Sequence, residues 1–333
     1  MVPTSQPAQR AAPIDASIIV CSYNRSASLQ QTLLAIEKLS VREDTRCEIL
    51  VVDNNSTDDT RRVAEEFCRR FPRGRYCFEP NQGLSFARNR GIAEARGEIL
   101  VFTDDDVSPE PEWLQRIVDG MARESCDACG GYIAPVWELA PPVWLTERFY
   151  GFLALRTSRA DTFQVAESAD FPFGANMAFR RSVFETHGTF DVTRGRKGSE
   201  LSSGEDGEFF DRLLRRGAKI MFFGDARVHH RIEAFRVTKR YFRRWRFQTS
   251  RNLAQTRGMP GVRRLAGIPL YVFPQLMRAS TNAVQARFTH QADEAFHREM
   301  LVWHFLGLMR GLMEKRKGIG GSDTRMAAQR DGD

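Results

Sequence analysis

The sequence predicts an α/β protein built on a doubly wound, mostly parallel sheet with a basic helical appendage at its C-terminal end. Short apolar runs alternate with helical patterns between residues 17 and 134. This alternation is typical of parallel strands joined by right-handed helical crossovers. A hydrophobic content of 42% and a charged content of 27% are those of a globular chain. They exclude a disordered or collagen-like protein.

The α/β pattern depends on three apolar runs that lack alternation, as strands covered on both faces do. These predicted strands are residues 17–21, 48–53 and 97–103. Two predicted helices carry apolar stripes, one with Leu29, Leu33, Ile36 and Leu39 and the other with Val63, Phe67 and Phe71. Two more are predicted at residues 84–95 and 110–121. For the second helix, Ser56 or Thr57 is the expected N-cap, with Asp58 and Asp59 in the first turn.

The 333 residues are enough for one large domain with appendages or for two domains. Residues 14–135 carry the regular alternation, and residues 136–232 are less regular and rich in Phe, Pro and Gly. We expect these segments to be the two halves of the α/β domain. Residues 233–316 should form the basic helical appendage, and the polar ends, 1–13 and 317–333, should be disordered.

The formal net charge of +7 arises largely in one stretch. Residues 234–292 contain no Asp or Glu, and a predicted helix at 238–253 carries Tyr241, Phe242 and Trp245 on one side, flanked by Lys and Arg. Such a helix suits an anionic membrane surface or a lipid-diphosphate acceptor. The alternative is that the aromatic side chains pack on the rest of the chain. A nucleic-acid partner is not expected, because no RNA- or DNA-binding module is visible.

Neither a secretory signal nor a membrane-spanning helix is predicted. Residues 1–13 are polar and rich in Pro and Ala, without the apolar core of a signal peptide. The longest apolar candidate, residues 265–277, is short and contains two prolines. We therefore expect a cytoplasmic protein that contacts the inner face of the plasma membrane peripherally.

Polar residues follow each predicted strand: residues 22–25, 53–56 and 104–106. Ligands bind outside the carboxyl ends of the strands in an open parallel sheet, so these clusters should meet at one edge. Three adjacent carboxylates repel one another unless a cation lies among them. By itself the triplet Asp104–Asp106 would be a solvated acidic turn, but the two neighbouring clusters favour a cation site. Asp and Asn oxygens suit Mg²⁺ or Mn²⁺, ions that often share their coordination with substrate phosphates.

Four segments, in their order and spacing, resemble glycosyltransferase family 2. They are SIIVCSYNR at 17–25, VVDNNSTD at 51–58, NQGLSFARNRG at 81–91 and ILVFTDDD at 99–106. The resemblance covers about residues 17–232 and implies the GT-A fold. It also implies transfer of a sugar, with inversion, from a nucleotide-diphosphate donor to a hydroxyl of a glycan or lipid-linked acceptor in cell-envelope synthesis. In that scheme 14–135 binds the nucleotide sugar and 136–232 binds the acceptor.

The resemblance also implies roles for residues on the nucleotide side. Tyr23 and Asp53 would hold the nucleobase, with Asn24 and Arg88 close to the nucleotide. These residue types suit the role, because an aromatic face can stack on a base and a carboxylate can accept its imide N–H.

The metal site of the family is a D-x-D motif, which corresponds here to Asp104–Asp106. Asp104 would face the ribose or the metal, and Asp106 would coordinate the metal between the phosphates. Three consecutive Asp leave the working pair ambiguous, with Asp105 also at the donor; we favour Asp104 and Asp106. In many members a His completes the site. His229 and His230 alternate faces on a strand, and the family spacing favours His230.

The catalytic carboxylate implied by the resemblance is Asp206, in the segment GEDGE at 204–208. It would act with Glu205 in an E-D motif and deprotonate the acceptor hydroxyl as general base. Without the family context, the same pair would be the polar N-terminus of a helix. Gly174, in FGANMAFR at 173–180, would lie behind the donor sugar, where small residues allow close backbone approach.

Two other functions share these features. A sugar nucleotidyltransferase would have the same sheet and acidic edge, but it should carry a Gly-rich loop with Arg and Pro-Lys after the first strand, and residues 22–26 do not. A non-catalytic nucleotide-sugar-binding protein should have lost Asp206 or the Asp triplet, and both are present.

Overall fold

The computed structural model describes residues 13–157, 159–196, 198, 204–256 and 263–328, with the side chains of residue 256 and of 316–328 left out. The chain divides into two compact units. The first comprises Met1–Ala134, Arg159–Val192 and Glu205–His230, and the second comprises Pro135–Ser158, Thr193–Gly204 and Arg231–Asp333. Of the ends predicted to be disordered, 1–12 and 329–333 lie outside the described residues. The last helix continues to Ala328, and thus into the segment where disorder was predicted.

The first half of the central sheet is parallel, in the order β3-β2-β1-β4. Its strands are β1 (Ile14–Ser22), β2 (Cys47–Asp53), β3 (Gly74–Phe78) and β4 (Gly97–Asp104). The register pairs Ser22 with Asp53 and Cys21 with Asp104. The carboxyl ends of β1, β2 and β4 therefore coincide, and the polar residues that follow them share one edge.

The sheet continues beyond β4 as β8-β6-β9-β5, with β7 also on β9. The β4–β8, β6–β8, β5–β9 and β7–β9 pairs are antiparallel. These strands are β5 (Val107–Pro109), β6 (Ala128–Trp137), β7 (Thr162–Gln164), β8 (Met177–Arg180) and β9 (Ile220–Ile232). The predicted α/β class is confirmed. Strands β7, β8 and β9 come from the less regular sequence, whereas β5 and most of β6 precede it.

The helices of the first unit are α1 (Ser26–Ile36), α2 (Thr60–Arg70), α3 (Leu84–Glu94), α4 (Trp113–Glu124), α5 (Arg181–His187) and α6 (Glu205–Arg215). Two predicted starts were wrong. Helix α4 begins three residues later than expected, because Pro111 disfavours helical geometry at Glu110. Helix α2 has Asp59 at its N-cap position, and Asp58 accepts a hydrogen bond from the Thr60 N–H at 3.0 Å.

Phenylalanine fills much of the core beneath the sheet. Phe102 of β4 and Phe179 of β8 are fully buried, and their rings meet edge to face at 5.9 Å. Phe209 of α6 lies 5.3 Å from Phe179. Burying large aromatic side chains contributes strongly to stability. This packing attaches α6, which carries the predicted catalytic carboxylate, to the centre of the sheet.

The second unit is helical. It contains α7 (Lys239–Thr256), α8 (Val272–Thr289), α9 (Ala292–Ala328) and a hairpin of β10 (Arg264–Leu265) and β11 (Ile268–Pro269). Short 3₁₀ helices occur at Glu147–Leu153 and Ala234–Val237 in this unit and at Ser168–Asp170 and Gly174–Asn176 in the first. Among the described residues, no helix is long and apolar enough to cross a membrane.

The aromatic side of α7 is turned into the second unit. Tyr241 and Phe242 are buried, and the Phe242 ring meets those of Trp144 and Phe296 at 5.3 and 6.2 Å. Trp245 packs edge to face on Phe152 at 4.8 Å. Tyr241 and Phe242 therefore do not form the predicted membrane-contacting side of α7. The alternative, in which these side chains pack against the protein, is what the structure shows.

Candidate active site

The three aspartates after β4 have different environments. The side chain of Asp104 is 33% exposed, whereas those of Asp105 and Asp106 are almost completely buried. Ser22 Oγ donates to Asp105 Oδ2 at 2.6 Å. The Arg25 guanidinium lies 2.9 Å from Asp106 Oδ2 and 3.4 Å from Asp105 Oδ1. Burial raises the pKa of Asp105 to about 7, although the charge of Arg25 opposes this rise.

His230 faces the same carboxylates from β9. Strand β5 pairs with β9 so that Val107 stands opposite His230, which brings the buried His230 Nε2 to 3.2 Å from Asp106 Oδ1. His229 points the other way and lies at the surface, 3.4 Å from Glu110. The alternation of side chains along a strand thus leaves His230 as the inward-facing residue of the pair.

The predicted metal ligands are not all brought together. In the described part of the chain, no three His, Cys, Asp or Glu side chains gather as a metal site. Asp104 lies instead 3.9 Å from the Arg88 guanidinium, while Asp106 stays beside His230. The carboxylate oxygen of Asp106 and the imidazole nitrogen of His230 therefore lie side by side. This pair suits a divalent ion that takes its other ligands from phosphate and water.

The predicted nucleotide side of the edge is formed by the residues after β1 and β2. Asp53 is buried; its Oδ1 accepts from the Ser56 N–H at 2.9 Å, and its Oδ2 accepts from Tyr76 Oη at 3.0 Å. Each carboxylate oxygen has a further lone pair that a ligand could use. Tyr23 is half-buried just beyond the end of β1.

Asn24 connects the loops that follow β1 and β2. Its φ angle is +50°, in the left-handed region that Asn tolerates. Its Oδ1 accepts from the Thr57 N–H at 2.7 Å, and its own N–H donates to Ser56 Oγ at 3.0 Å. Asn24 therefore holds the two loops in a fixed relation.

Arg88 lies at the centre of a second cluster of charged side chains, which it forms with Glu205 and Asp206. It projects from α3, is almost fully buried, and its Nη1 contacts Asp206 Oδ1 and lies 3.1 Å from Glu205 Oε1. The Gly174 N–H donates to Asp206 Oδ2 at 2.9 Å. Burial raises the pKa of Asp206 to about 6, and the charge of Arg88 opposes the rise. Since Asp104 also lies within 3.9 Å of this guanidinium, Arg88 bridges the two carboxylate clusters.

Sequence reasoning gave no role to three residues that shape the site. Arg25 neutralises Asp105 and Asp106, Ser22 hydrogen-bonds Asp105, and Tyr76 hydrogen-bonds Asp53. Ser22 ends β1 and Arg25 follows three residues later, so both belong to the polar cluster predicted at this strand end, where neither was given a role of its own. Tyr76 belongs to β3, a strand that the sequence pattern did not predict.

The sequence profile of Glycosyl transferase family 2 matches residues 17–188, which is more than half of the chain. The chain belongs to glycosyltransferase family 2. This glycosyltransferase has the GT-A fold. A solved structure of a mannosyltransferase from Pyrobaculum calidifontis, in complex with GDP-Man and Mn²⁺, superposes with a TM-score of 0.59. The similarity covers 93% of this chain and 91% of that one, at 20% identity.

Two relatives with assigned biological roles are similar over about two thirds of the glycosyltransferase. The glucosyl-dolichyl phosphate glucuronosyltransferase of Haloferax volcanii is 25% identical over 225 residues, which cover 66% of this chain and 70% of the relative. The succinoglycan biosynthesis protein ExoM of Rhizobium meliloti is 25% identical over 234 residues, which cover 69% and 71% of the two chains.

Proposed function

We propose that this glycosyltransferase is a divalent-metal-dependent, inverting enzyme that moves a sugar from a nucleoside diphosphate to an acceptor hydroxyl. The observation that carries the proposal is the position of Arg88, whose guanidinium contacts Asp206 and lies 3.9 Å from Asp104. One buried cation thus fixes a candidate base close to the carboxylates of the candidate donor site. Direct displacement requires that the base and the donor be held in one site, so that the acceptor hydroxyl attacks from the face opposite the leaving group.

On the donor side, Asp53 and Tyr23 are proposed to hold the nucleobase, and Asp106 with His230 to hold Mn²⁺ or Mg²⁺. The bound ion would offset the charge that develops on the departing diphosphate. Arg25 now neutralises the same carboxylates. Its positive charge would offset the repulsion between the two carboxylates and hold them close together before the donor binds.

On the acceptor side, Asp206 is proposed to take the proton of the attacking hydroxyl. Its carboxylate is oriented by the Gly174 N–H on one oxygen and by Arg88 on the other. A pKa of about 6 makes Asp206 a stronger base than an ordinary aspartate while leaving it mostly ionised at neutral pH. Direct attack of the activated hydroxyl on the anomeric carbon inverts its configuration.

The acceptor is proposed to be a lipid-linked or polysaccharide glycan of the cell envelope. One relative is named for a dolichyl phosphate-linked substrate and another for succinoglycan biosynthesis. Both acceptor classes are consistent with work at the inner face of the plasma membrane, which we propose as the location.

The test is a donor screen with the purified chain and Mn²⁺ or Mg²⁺, across UDP-, GDP- and dTDP-sugars. We expect one nucleotide sugar to release nucleoside diphosphate, faster when a glycan acceptor is added, and proton NMR of the product to show an inverted anomeric centre. A retained anomer would overturn the inverting mechanism. Release of pyrophosphate from nucleoside triphosphate and sugar phosphate would identify a nucleotidyltransferase instead.

A further inference from the structure

Helix α8 carries its large and small apolar side chains on opposite sides. Ala279, Ala283 and Ala286 are buried on the side that packs against α9. Met277, Val284 and Phe288 are instead 68%, 58% and 84% exposed. Their spacing of seven and four residues places them in a single stripe on the helix. We call this stripe the outer face of α8.

We propose that the outer face of α8 rests on an anionic membrane surface. The apolar stripe is flanked by charge on both sides. Arg278 follows Met277 and Arg287 precedes Phe288, and successive residues of a helix lie about 100° apart, so the two arginines stand on opposite edges of the stripe. A stripe of apolar side chains bordered by basic ones is the arrangement of a helix that lies in the plane of a membrane interface.

Three further apolar side chains are exposed in the chain just before α8. Leu270 and Tyr271, immediately before α8, are also exposed. In the β10–β11 hairpin that precedes them, Leu265 is exposed beside Arg264. Apolar residues exposed together and bordered by basic ones mark an interaction surface rather than the scatter of single residues found on any protein.

The positive charge of this segment favours a lipid surface as the partner of the outer face of α8. Residues 234–292 hold no Asp or Glu, so every charged residue of α8 and of the hairpin is an arginine. A second copy of the chain, paired through the same face, would bring these arginines against one another with no acid of that segment to neutralise them. An anionic bilayer supplies both the apolar layer for Phe288 and the negative charge for Arg278 and Arg287.

The structure therefore moves the predicted membrane contact from α7 to α8. The aromatic side of α7 is covered within its own unit, because Phe242 is buried against Trp144 and Phe296. Arginines of α7 and acids of α9 are paired as well: Arg243 lies 2.6 Å from Glu299. Arg287 lies 3.5 Å from that carboxylate but is still 62% exposed, so it is accessible to lipid headgroups.

The experiment is flotation of the full chain with vesicles of phosphatidylcholine alone or with added phosphatidylglycerol. We expect binding that increases with the anionic lipid and weakens with salt, because exposed charges are screened within about 8 Å at physiological ionic strength. The triple variant Met277→Gln, Val284→Gln, Phe288→Gln should partition at least about tenfold less. The matched control is Leu139→Gln with Val143→Gln, two exposed apolar residues of the same unit outside α8.

Two double charge-reversal variants complete the experiment. Arg278→Glu with Arg287→Glu should lower binding to the anionic vesicles, whereas Arg61→Glu with Arg62→Glu, an equal charge change on exposed residues of α2, should not. The proposal is overturned if the wild-type chain fails to float with anionic vesicles at low salt. It is also overturned if the control variants lose as much binding as those in α8, or if the triple variant abolishes a dimer and not vesicle binding.

Measurements of enzyme turnover test the membrane contact and the proposed reaction independently. None of the substituted residues of α8 belongs to the candidate active site, so the triple variant should release nucleoside diphosphate from the donor at the wild-type rate in the absence of vesicles. A chain that binds vesicles and lacks transferase activity would contradict only the proposed reaction. A chain that transfers sugar and ignores vesicles would contradict only the membrane contact.

Discussion

Gly174 and Asp206 are joined by a hydrogen bond of 2.9 Å from a backbone N–H to a carboxylate oxygen. A Cβ added to Gly174 would overlap Nη2 of Arg88 and lie 2.9 Å from the bonded oxygen of Asp206. Arg88 is buried and engaged by carboxylates, so it has little freedom to move aside. The absence of a side chain at position 174 is thus what allows the Asp206 carboxylate and the Arg88 guanidinium to lie together against this backbone.

We expect Gly174→Ala to displace Arg88 and Asp206 and to lower kcat by at least about tenfold, since small misplacements of catalytic groups are costly. It should also destabilise the fold by about 1–3 kcal/mol, the usual effect of overpacking. Turnover and thermal unfolding measure the two effects. Gly207→Ala is the control, because Gly207 follows Asp206 in α6 and nothing lies within 4 Å of a Cβ at that position. Equal effects of both substitutions would contradict the prediction.

Asp206→Asn should keep donor binding and lower the transfer rate by about 10²-fold or more, because an amide fills the same space but cannot accept the proton. Calorimetric titration with the donor nucleotide and initial-rate measurements separate binding from turnover. Glu208→Gln serves as control: Glu208 stands in the first turn of the same helix, is partly exposed and pairs with Arg212. Wild-type turnover by Asp206→Asn would show that another group is the base.

The rate of transfer should increase with pH, reach half of its maximum near pH 6 and level off at higher pH. Asp206 must be ionised to accept a proton, and burial raises its pKa to about 6, so protonation removes the active form at a higher pH than for an ordinary aspartate. A pH profile of kcat between 4.5 and 8 measures this acidic limb. A limb centred near the ordinary Asp value of 3.8 would contradict the buried environment of this carboxylate.

His230→Ala should weaken donor binding in the presence of Mn²⁺ by about tenfold, in the range typical of losing a metal-site partner, and should leave metal-free binding unchanged. Asp106→Ala should have the same effect, because it removes the neighbouring oxygen ligand. His229→Ala is the control, since His229 faces solvent one residue away. Calorimetric titrations of nucleoside diphosphate with and without Mn²⁺ measure the difference. Identical behaviour of both histidine variants would exclude His230 from the site.

Much of the site edge could be predicted from local pattern. Apolar runs without alternation mark parallel strands, and parallel strands end at a common edge, so residues 22–25, 53–56 and 104–106 had to be neighbours. The two-residue period of a strand likewise requires that only one of His229 and His230 face inward. Strand β3 was not predicted, because Gly74–Phe78 is short and mixes polar with apolar residues.

The order of residues in the chain and the periodicity of their side chains thus determined the fold class, the polar edge of the sheet and the family. Each of these is recognised from short segments whose residues are close together in the chain. Tertiary packing alone decided the contacts between distant residues. Arg88 meets Asp206 across 118 positions of sequence, and no local pattern encodes that pairing. An apolar stripe shows that a helix has one face to cover but not what covers it. In the structure, Trp144 and Phe296 cover the apolar stripe of α7, whereas the apolar stripe of α8, which includes Phe288, is exposed.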